Sequence, residues 1–435
     1  MNNEKKIVLG IREKPKPLQW LLLSVQHLFA MFGATVLVPA LTGMSPAVAL
    51  ISSGIGTLVF IAITQGKVPS YLGSSFAFIN PIIAVKALEL DPSSGVGEGS
   101  YLVGSFLVGV LYAVVALIIA RTGTRWLMKL LPPIVVGPVI MVIGLSLAVT
   151  AVNMATHNTS DAYDLMYALT GLVTLTITIL ASVFLRGFLG VIPVLIGIIG
   201  GYLFAVAIGI VDFHAVIDAP WIALPPFSIP FVDYTPTLTG TAFLLIVPVA
   251  IVPIAEHIGH QLILSKVVGK NLIVDPGLHR SMLGDGVATL LASLVGGPPN
   301  TTYGENIGVL AITRAFSIYI FIGAAMLAIL LGFCGKIAVL LSTIPSPVIG
   351  GVSILLFGII ASSGLRMLVE NKVDFALKRN LIISSVILVL GIGGAAIRFG
   401  SMFTLEGMAL ASIAGVILNQ VLPGKEEADF EKMFR

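Results

Sequence analysis

A chain of 435 residues that is 57% apolar and only 10% charged, with a mean hydropathy of +1.05, is excluded from the soluble globular class and reads as an integral membrane protein. Its single cysteine, Cys334, excludes an internal disulfide and a Cys-based metal cluster. The net charge of +3 excludes little, because in a membrane protein the placement of Lys and Arg carries the information.

The basic N-terminus, MNNEKKIVLGIREKPKP, precedes an apolar run too long for a signal-peptide core, which therefore reads as a first span. At about 20 mostly apolar residues per span, fourteen segments are predicted. They lie at 19–40, 46–64, 70–88, 100–120, 130–150, 165–185, 188–211, 240–263, 282–296, 300–312, 315–334, 337–361, 380–396 and 405–422. An even number puts both tails on one side, and the positive-inside rule makes that side the cytoplasm of a plasma-membrane protein. Only Lys86, Lys336 and Arg398 then fall outside, and the other 21 of 24 basic residues fall inside. The loops at 89–99, 151–164 and 212–239 carry acids but no Lys or Arg. The expected organisation is a cytoplasmic tail at 1–18, seven segments over 19–211, an extracytoplasmic linker at 212–239, seven more over 240–422, and a cytoplasmic tail at 423–435. No soluble domain is expected.

The two sevens echo each other. Pro133, Gly137 and Gly144 match Pro347, Gly351 and Gly358 at a constant offset of 214. Gln26-His27 is echoed by Glu256-His257 at an offset of 230, and the interrupted third segment lies about 228 residues before the interrupted tenth. An odd number of spans per unit inserts the second copy upside down, giving an all-α fold with an inverted repeat, common in secondary transporters.

The interrupted segments carry the local chemistry. In YLGSSFAFINPIIAV, Gly73, Ser74 and Ser75 precede Phe76, and Asn80-Pro81 reads as an N-cap followed by a first helical position. In GGPPNTTYGENIGV, Pro298-Pro299 stops a helix, Asn300 to Gly304 runs extended, and a helix starts near Glu305. Backbone of this kind persists at membrane depth only where protein or a cavity satisfies it. Two half-helix N-termini are thus expected to aim free N–H groups at one centre.

Glu256 sits inside the run AFLLIVPVAIVPIAEHIGHQLIL, where a carboxylate costs roughly 2.5–3.5 kcal/mol on insertion scales. Neighbouring spans supply no Lys or Arg within the membrane to pair with it, so it marks a substrate or ion pathway. Glu305, at a helix start, reads as a ligand ahead of a plain N-terminal cap. His260, four residues after Glu256, shares its helix face and either orients the acid or relays a proton. His257 and His27 face elsewhere or lack a nearby acid and read as structural. Asp285 lies near the cytoplasmic end of its segment and reads as solvated or as a helix-end partner. Arg314 is explained by topology.

An ionised carboxylate only accepts hydrogen bonds and a backbone N–H only donates. Their common ligand should be small, flat and neutral, with N–H donors alternating with carbonyl oxygens, and with Phe76, Phe78 and Tyr303 offering faces for stacking. Uracil, thymine and, less closely, xanthine fit; an anion or a metal ion fits badly.

The run Glu305-Asn306-Ile307-Gly308-Val309-Leu310-Ala311-Ile312-Thr313-Arg314 resembles the signature of nucleobase–ascorbate transporters: an acid, Gln or Pro, then Asn, any residue, Gly, four residues, Thr, and a basic residue or Gly. Gln26-His27 is similar to that family's first-helix motif. GSSFAF at 73–78, AEHIGH at 255–260, DPGLHRSM at 275–282 and PNTTYGENIG at 299–308 resemble its uracil permease branch. The resemblance, over about 15–422, implies a uracil:proton symporter with spans 1–4 and 8–11 as a substrate-carrying core and the rest as a gate. It implies that Glu256 and Glu305 bind the base, that the backbones of Phe76 and Gly304 meet its carbonyl oxygens beside Ser75 and Tyr303, and that His260 joins Glu256 in proton coupling. Asn306, Gly308, Thr313 and Arg314 complete the motif. Glu305, where purine members carry Gln, favours a pyrimidine over xanthine or urate. A homodimer is expected, with no cofactor beyond the coupling proton and no nucleic-acid partner. No GxxxxGK[ST] signature is present for an ATP-driven pump. A passive channel lacks its continuous polar pore, and an intramembrane enzyme has only Ser74 or Ser75 with His260 to draw on.

Overall fold

The computed structural model describes residues 7–91, 94, 96–97, 99–211, 213–237, 239–399 and 403–424, so the expected tails at 1–18 and 423–435 fall partly outside it. Pro17 opens α1 (Pro17–Thr42), at a position where a missing N–H costs nothing, and Gly43 ends it at φ 64°, a left-handed conformation suited to glycine. α2 (Pro46–Ile63) is capped by Ser45, whose Oγ accepts from Val48 N at 3.4 Å. There follow β1 (Leu72–Ser74), a 3-10 turn (Phe76–Phe78), α3 (Ile79–Glu89) and α4 (Ser100–Thr122). The next run is α5 (Arg125–Leu130), α6 (Pro133–Ser146), α7 (Ala148–Thr156), α8 (Leu165–Phe184) and α9 (Pro193–Ala207), with a short α10 (His214–Asp218) in the linker. Beyond it come α11 (Gly240–Ile246), a 3-10 turn (Val247–Ala250), α12 (Ile251–Val268), α13 (Leu278–Leu294), β2 (Asn300–Thr302), α14 (Gly304–Thr313) and α15 (Ile318–Gly332). The chain ends with α16 (Gly335–Ser342), α17 (Ser346–Glu370), α18 (Lys378–Ile392), a hairpin of β3 (Ala396–Phe399) and β4 (Phe403–Glu406), and α19 (Gly407–Val421).

Among the described residues, seven helical stretches are long and apolar enough to cross a bilayer: 17–42, 46–63, 100–122, 133–156, 165–184, 240–268 and 346–370. Three shorter apolar helices, α9, α15 and α19, stand beside them. The protein is a multi-pass membrane protein.

The helices sort into two packed groups. In one, α13 packs on α4 and α2, and α15 packs on α2 and α1; in the other, α17 packs on α6, α7 and α8, and α18 packs on α6 and α19. Glycine lines close crossings in each, as small residues do where apolar side chains gain nothing by leaving lipid. A Cβ on Gly109 of α4 would stand 2.7 Å from the Gly286 carbonyl of α13, and one on Gly137 of α6 would stand 3.0 Å from the Gly364 carbonyl of α17.

Several expectations are corrected. The segment at 337–361 divides at Thr343–Pro345 into α16 and α17, and α17 runs on to Glu370; the break falls in the polar and proline-rich step Ser342-Thr343-Ile344-Pro345-Ser346-Pro347, where Pro347 stands in the first turn of α17. The segment at 130–150 divides at Leu147. α3 begins at Ile79 behind the 3-10 turn instead of at Asn80-Pro81, and the Asn80 amide donates to Ser146 Oγ at 3.2 Å instead of capping. The N-terminal segment is tied down: Arg314 O accepts from Val8 N at 3.0 Å, and Phe316 N and Ile318 N donate to Leu9 O and Ile11 O.

Candidate functional site

β1 and β2 meet as an antiparallel pair, Leu72 opposite Thr302, Gly73 opposite Thr301 and Ser74 opposite Asn300. Each extended piece satisfies its backbone in protein, as the membrane requires. Thr57 of α2 clasps the first residue of β1, accepting from Leu72 N at 2.9 Å and donating to Leu72 O at 3.3 Å. Thr289 of α13 clasps Asn300 of β2 in the same way, at 3.2 and 3.0 Å. Ser75 N donates to Pro299 O at 2.9 Å and Tyr303 N donates to Tyr71 O at 3.0 Å, closing the ladder at both ends. The 3-10 turn at Phe76 and the helix at Gly304 therefore start back to back, and their first N–H groups have no partner within their own helices.

Around this junction stand the interior acids. Glu305 lies in the first turn of α14 and is exposed to space the chain does not fill, as are Gly308 and Ile312 further along the same face. Glu256 and His260, one turn apart on α12, are 26% and 17% exposed, and His260 Nε2 stands 4.0 Å from Glu256 Oε1. His260 Nε2 also lies 3.1 Å from where a Cβ on Gly304 would sit, so the imidazole covers the start of α14. Glu305 is near enough to Glu256 for its charge to be felt there. The structure thus brings together Glu256, His260, Gly304 and Glu305, with Phe76 close by, half-buried and edge-on to Phe357 of α17 at 6.3 Å.

The aromatic expectations need correction. Phe78 is fully buried, and Tyr303 is 3% exposed, with its hydroxyl donating to Ser74 O at 3.0 Å and its ring filling the space over Gly73. Neither offers a face for stacking; only Phe76 does. Ser75 is buried with its hydroxyl unpartnered. Ser74 Oγ donates to Thr35 O at 3.4 Å and His260 Nδ1 contacts Thr302 Oγ1 at 3.2 Å, so the serine–imidazole pair an intramembrane enzyme needs is not formed.

The rest of the motif holds α14 in place. The Asn306 amide donates to His27 Nδ1 at 3.0 Å and to His27 O at 3.2 Å, so His27 carries its own proton on Nε2 and anchors α14 to α1. Gln26 is buried beside it. Thr313 Oγ1 donates to Val309 O at 2.9 Å, and Arg314, at φ 54°, ends the helix and reaches Val267 O at 3.4 Å. A second correction concerns Asp285 and His257. Asp285 is 1% exposed, not solvated, and its Oδ2 lies 2.8 Å from His257 Nδ1. The helix begins at Leu278, a turn before the apolar boundary at 282, which carries Asp285 two turns inside.

A cavity of about 260 Å³ lies apart from the acids, lined by Asn80, Ser146, Val249, Gly391 and Met408, and it holds no titratable group. Among the described residues no three His, Cys, Asp or Glu are placed to hold a metal ion.

Residues 18–398 match the sequence profile of the Permease family, Xan_ur_permease. The chain is 60% identical over 430 residues to the "Uracil permease" of Bacillus subtilis (strain 168), covering 98% of this chain and 97% of that one. It is 47% identical over 418 residues to the "Uracil permease" of Escherichia coli (strain K12), covering 95% and 93%. In fold it is similar to the transmembrane domain of the cyanobacterial bicarbonate transporter BicA, with a TM-score of 0.61 at 14% identity, covering 94% of this chain and 98% of that domain.

Proposed function

The chain belongs to the nucleobase–ascorbate transporter family, a family of permeases rather than enzymes, and on that footing we propose that it imports uracil across the plasma membrane by proton symport. The observation that carries this reading is the pairing of two carboxylates, Glu256 and Glu305, with the free amides at the starts of the Phe76 turn and of α14. The ring N–H groups of uracil donate to the carboxylates, and its carbonyl oxygens accept from the Phe76 and Gly304 amides, so each edge of the base meets a complementary group. The Phe76 ring covers one face of the base. Names and high identity of the two permeases support uracil over xanthine, urate or thymine.

Glu256 carries the coupling proton, with His260 as its modulator. Loaded with proton and base, the group of α1–α4 and α12–α15 moves as a core against a gate formed by the other group. The paired clasps of Thr57 and Thr289, and the matched starts of α6 and α17 at Pro133 and Pro347, support a seven-plus-seven inverted repeat of fourteen segments, with units at 19–211 and 240–422 and both termini cytoplasmic. No cofactor is used, and a homodimer is the proposed assembly.

The test is uptake of labelled uracil into proteoliposomes with the outside made acid. Concentrative uptake that collapses with a protonophore is expected, competed by unlabelled uracil better than by xanthine, thymine or ascorbate. Uptake indifferent to the gradient removes symport; inhibition by xanthine with none by uracil moves the substrate to the purines.

A further inference from the structure

The transport reading leaves the cavity beside Asn80 unused. α3 leads away from the junction toward the 89–99 loop, which lies outside in the orientation proposed above. Asn80 follows Phe76 by four residues, about 6 Å of helical rise, so the cavity begins roughly one turn outward of the ring beside the acids. The acids open the other way: Glu305, Gly308 and Ile312 are exposed along the face of α14 that leads to Arg314. Along α3 the Phe76 turn, with Phe357 edge-on at 6.3 Å, stands between the two spaces. The cavity walls come from both helix groups, Asn80 and Pro81 of α3 on one side and Ser146 of α6, Gly391 of α18 and Met408 of α19 on the other.

The lining specifies an occupant. A volume of about 260 Å³ lies just below the roughly 300 Å³ at which pockets for drug-sized ligands begin, so it suits one small ring. With no titratable group in the lining, a charged molecule would lose its water there and gain no counter-charge. Pro81, Leu245, Val249, Ile392 and Met408 supply apolar walls. Asn80, half-buried, supplies a polar edge. Its Nδ2 donates one hydrogen to Ser146 Oγ at 3.2 Å, and among the described residues its second N–H and its Oδ1 have no protein partner. A primary amide with a spare donor beside a spare acceptor can pair with a ring N–H that adjoins a ring carbonyl. Imides and lactams carry that edge, and uracil is one of them.

We propose that this cavity is a second, outer binding site for a neutral single-ring imide or lactam, uracil included, held by the Asn80 amide while the central site faces the cytoplasm. The inference rests on the uracil transport proposed above and adds a place where an incoming base waits. With a single polar edge and no carboxylate to accept from the ring, so small a ligand binds with a Kd of roughly 1 mM, more weakly than between Glu256 and Glu305.

The test uses the full chain in nanodiscs, with calorimetry for the tight site and ligand-observed saturation-transfer NMR, which detects weak and fast-exchanging ligands, for the outer one. Asn80→Leu removes the amide, and Met408→Trp fills the space. Each is expected to cut saturation transfer to uracil roughly fivefold or more while calorimetry of the tight site moves by no more than about twofold. In Gly304→Val, whose central site is blocked, the NMR signal should persist. There it should fall on adding succinimide, a neutral imide, and stay on adding N-methylsuccinimide, which lacks the N–H. A wild type that binds uracil by neither method removes the uracil reading and this site with it. Tight binding by calorimetry without an NMR signal, or a signal that survives the substitutions, overturns the outer site alone. Should Asn80→Leu fail to fold, Met408→Trp decides. Equal displacement by the two imides removes Asn80 as the reading group and overturns the proposal as well.

Discussion

The arm from Leu72 to Glu89 and the arm from Asn300 to Thr313 both run three extended residues into a helix, and each is clasped by a threonine, yet they are equipped differently. The first has no ionisable group near the junction. Its charges, Lys86 and Glu89, stand at the far end, where Lys86 donates to the Thr42 and Gly43 carbonyls at 2.9 and 3.0 Å. Near the junction it touches the opposite helix group, through Phe76 on Phe357 and Asn80 on Ser146. The second arm carries Glu305 at its helix start and is tied to its own group, to His27 through Asn306 and to His260 through Thr302. Two arms of one plan thus differ: the first supplies shape and contact with the opposite helix group, the second a carboxylate and ties within its own group.

Damage to the second arm should therefore exceed damage to the first. Gly304→Val drives its methyls toward His260, whose Nε2 is already 3.1 Å from the Cβ position. Loss of uracil binding by roughly a hundredfold or more is expected from overpacking of this size, measured by calorimetry on protein of unchanged melting temperature. Glu256→Gln mimics a permanently protonated acid: accumulation against a gradient should vanish while counterflow persists. His260→Ala should slow uptake and shift its dependence on external pH without abolishing accumulation. A Glu256→Gln protein that still concentrates uracil would move the coupling proton to another group. Glu305→Gln removes the charge assistance of a hydrogen bond, worth about 1 kcal/mol, so binding should weaken roughly five- to tenfold. On the first arm, Phe76→Tyr keeps the backbone donor and most of the ring, and an effect of roughly twofold is expected. Equal effects of Phe76→Tyr and Gly304→Val would erase the division between the arms.

Much of this site was legible in the sequence because membrane chemistry makes exceptions conspicuous. Glu256 stands out from an apolar run, and Gly73–Ser75 and Pro298-Pro299 announce broken helices where backbone must be satisfied by neighbours. The threonine clasps were not legible, since Thr57 and Thr289 are unremarkable within apolar helices and act only once the strands arrive. Tyr303 was read as a ligand face because residue type does not reveal which way a ring turns. The His257–Asp285 pair was missed for a definite reason: span boundaries drawn from apolar residues begin at 282. The Pro276-Gly277 step that precedes α13 was the available signal that the helix starts at Leu278 and carries Asp285 inward. The β3–β4 hairpin depends on tertiary packing that hydropathy does not encode, whereas the split between α16 and α17 was signalled by Pro345 and Pro347 and overlooked in an apolar count.

The ladder between β1 and β2 joins residues about 230 positions apart, Leu72 with Thr302. During synthesis the first extended piece enters the bilayer long before its partner exists. At 5–20 residues per second the wait is roughly 10 to 50 s, during which Thr57 alone can occupy its polar backbone and the remaining groups must be held by water, lipid headgroups or the insertion machinery. Assembly of the pocket is thus an event of chain completion. A ribosome stalled between the two arms leaves an inserted but unfinished half-protein, and clearance of such products falls to the cell's membrane quality control.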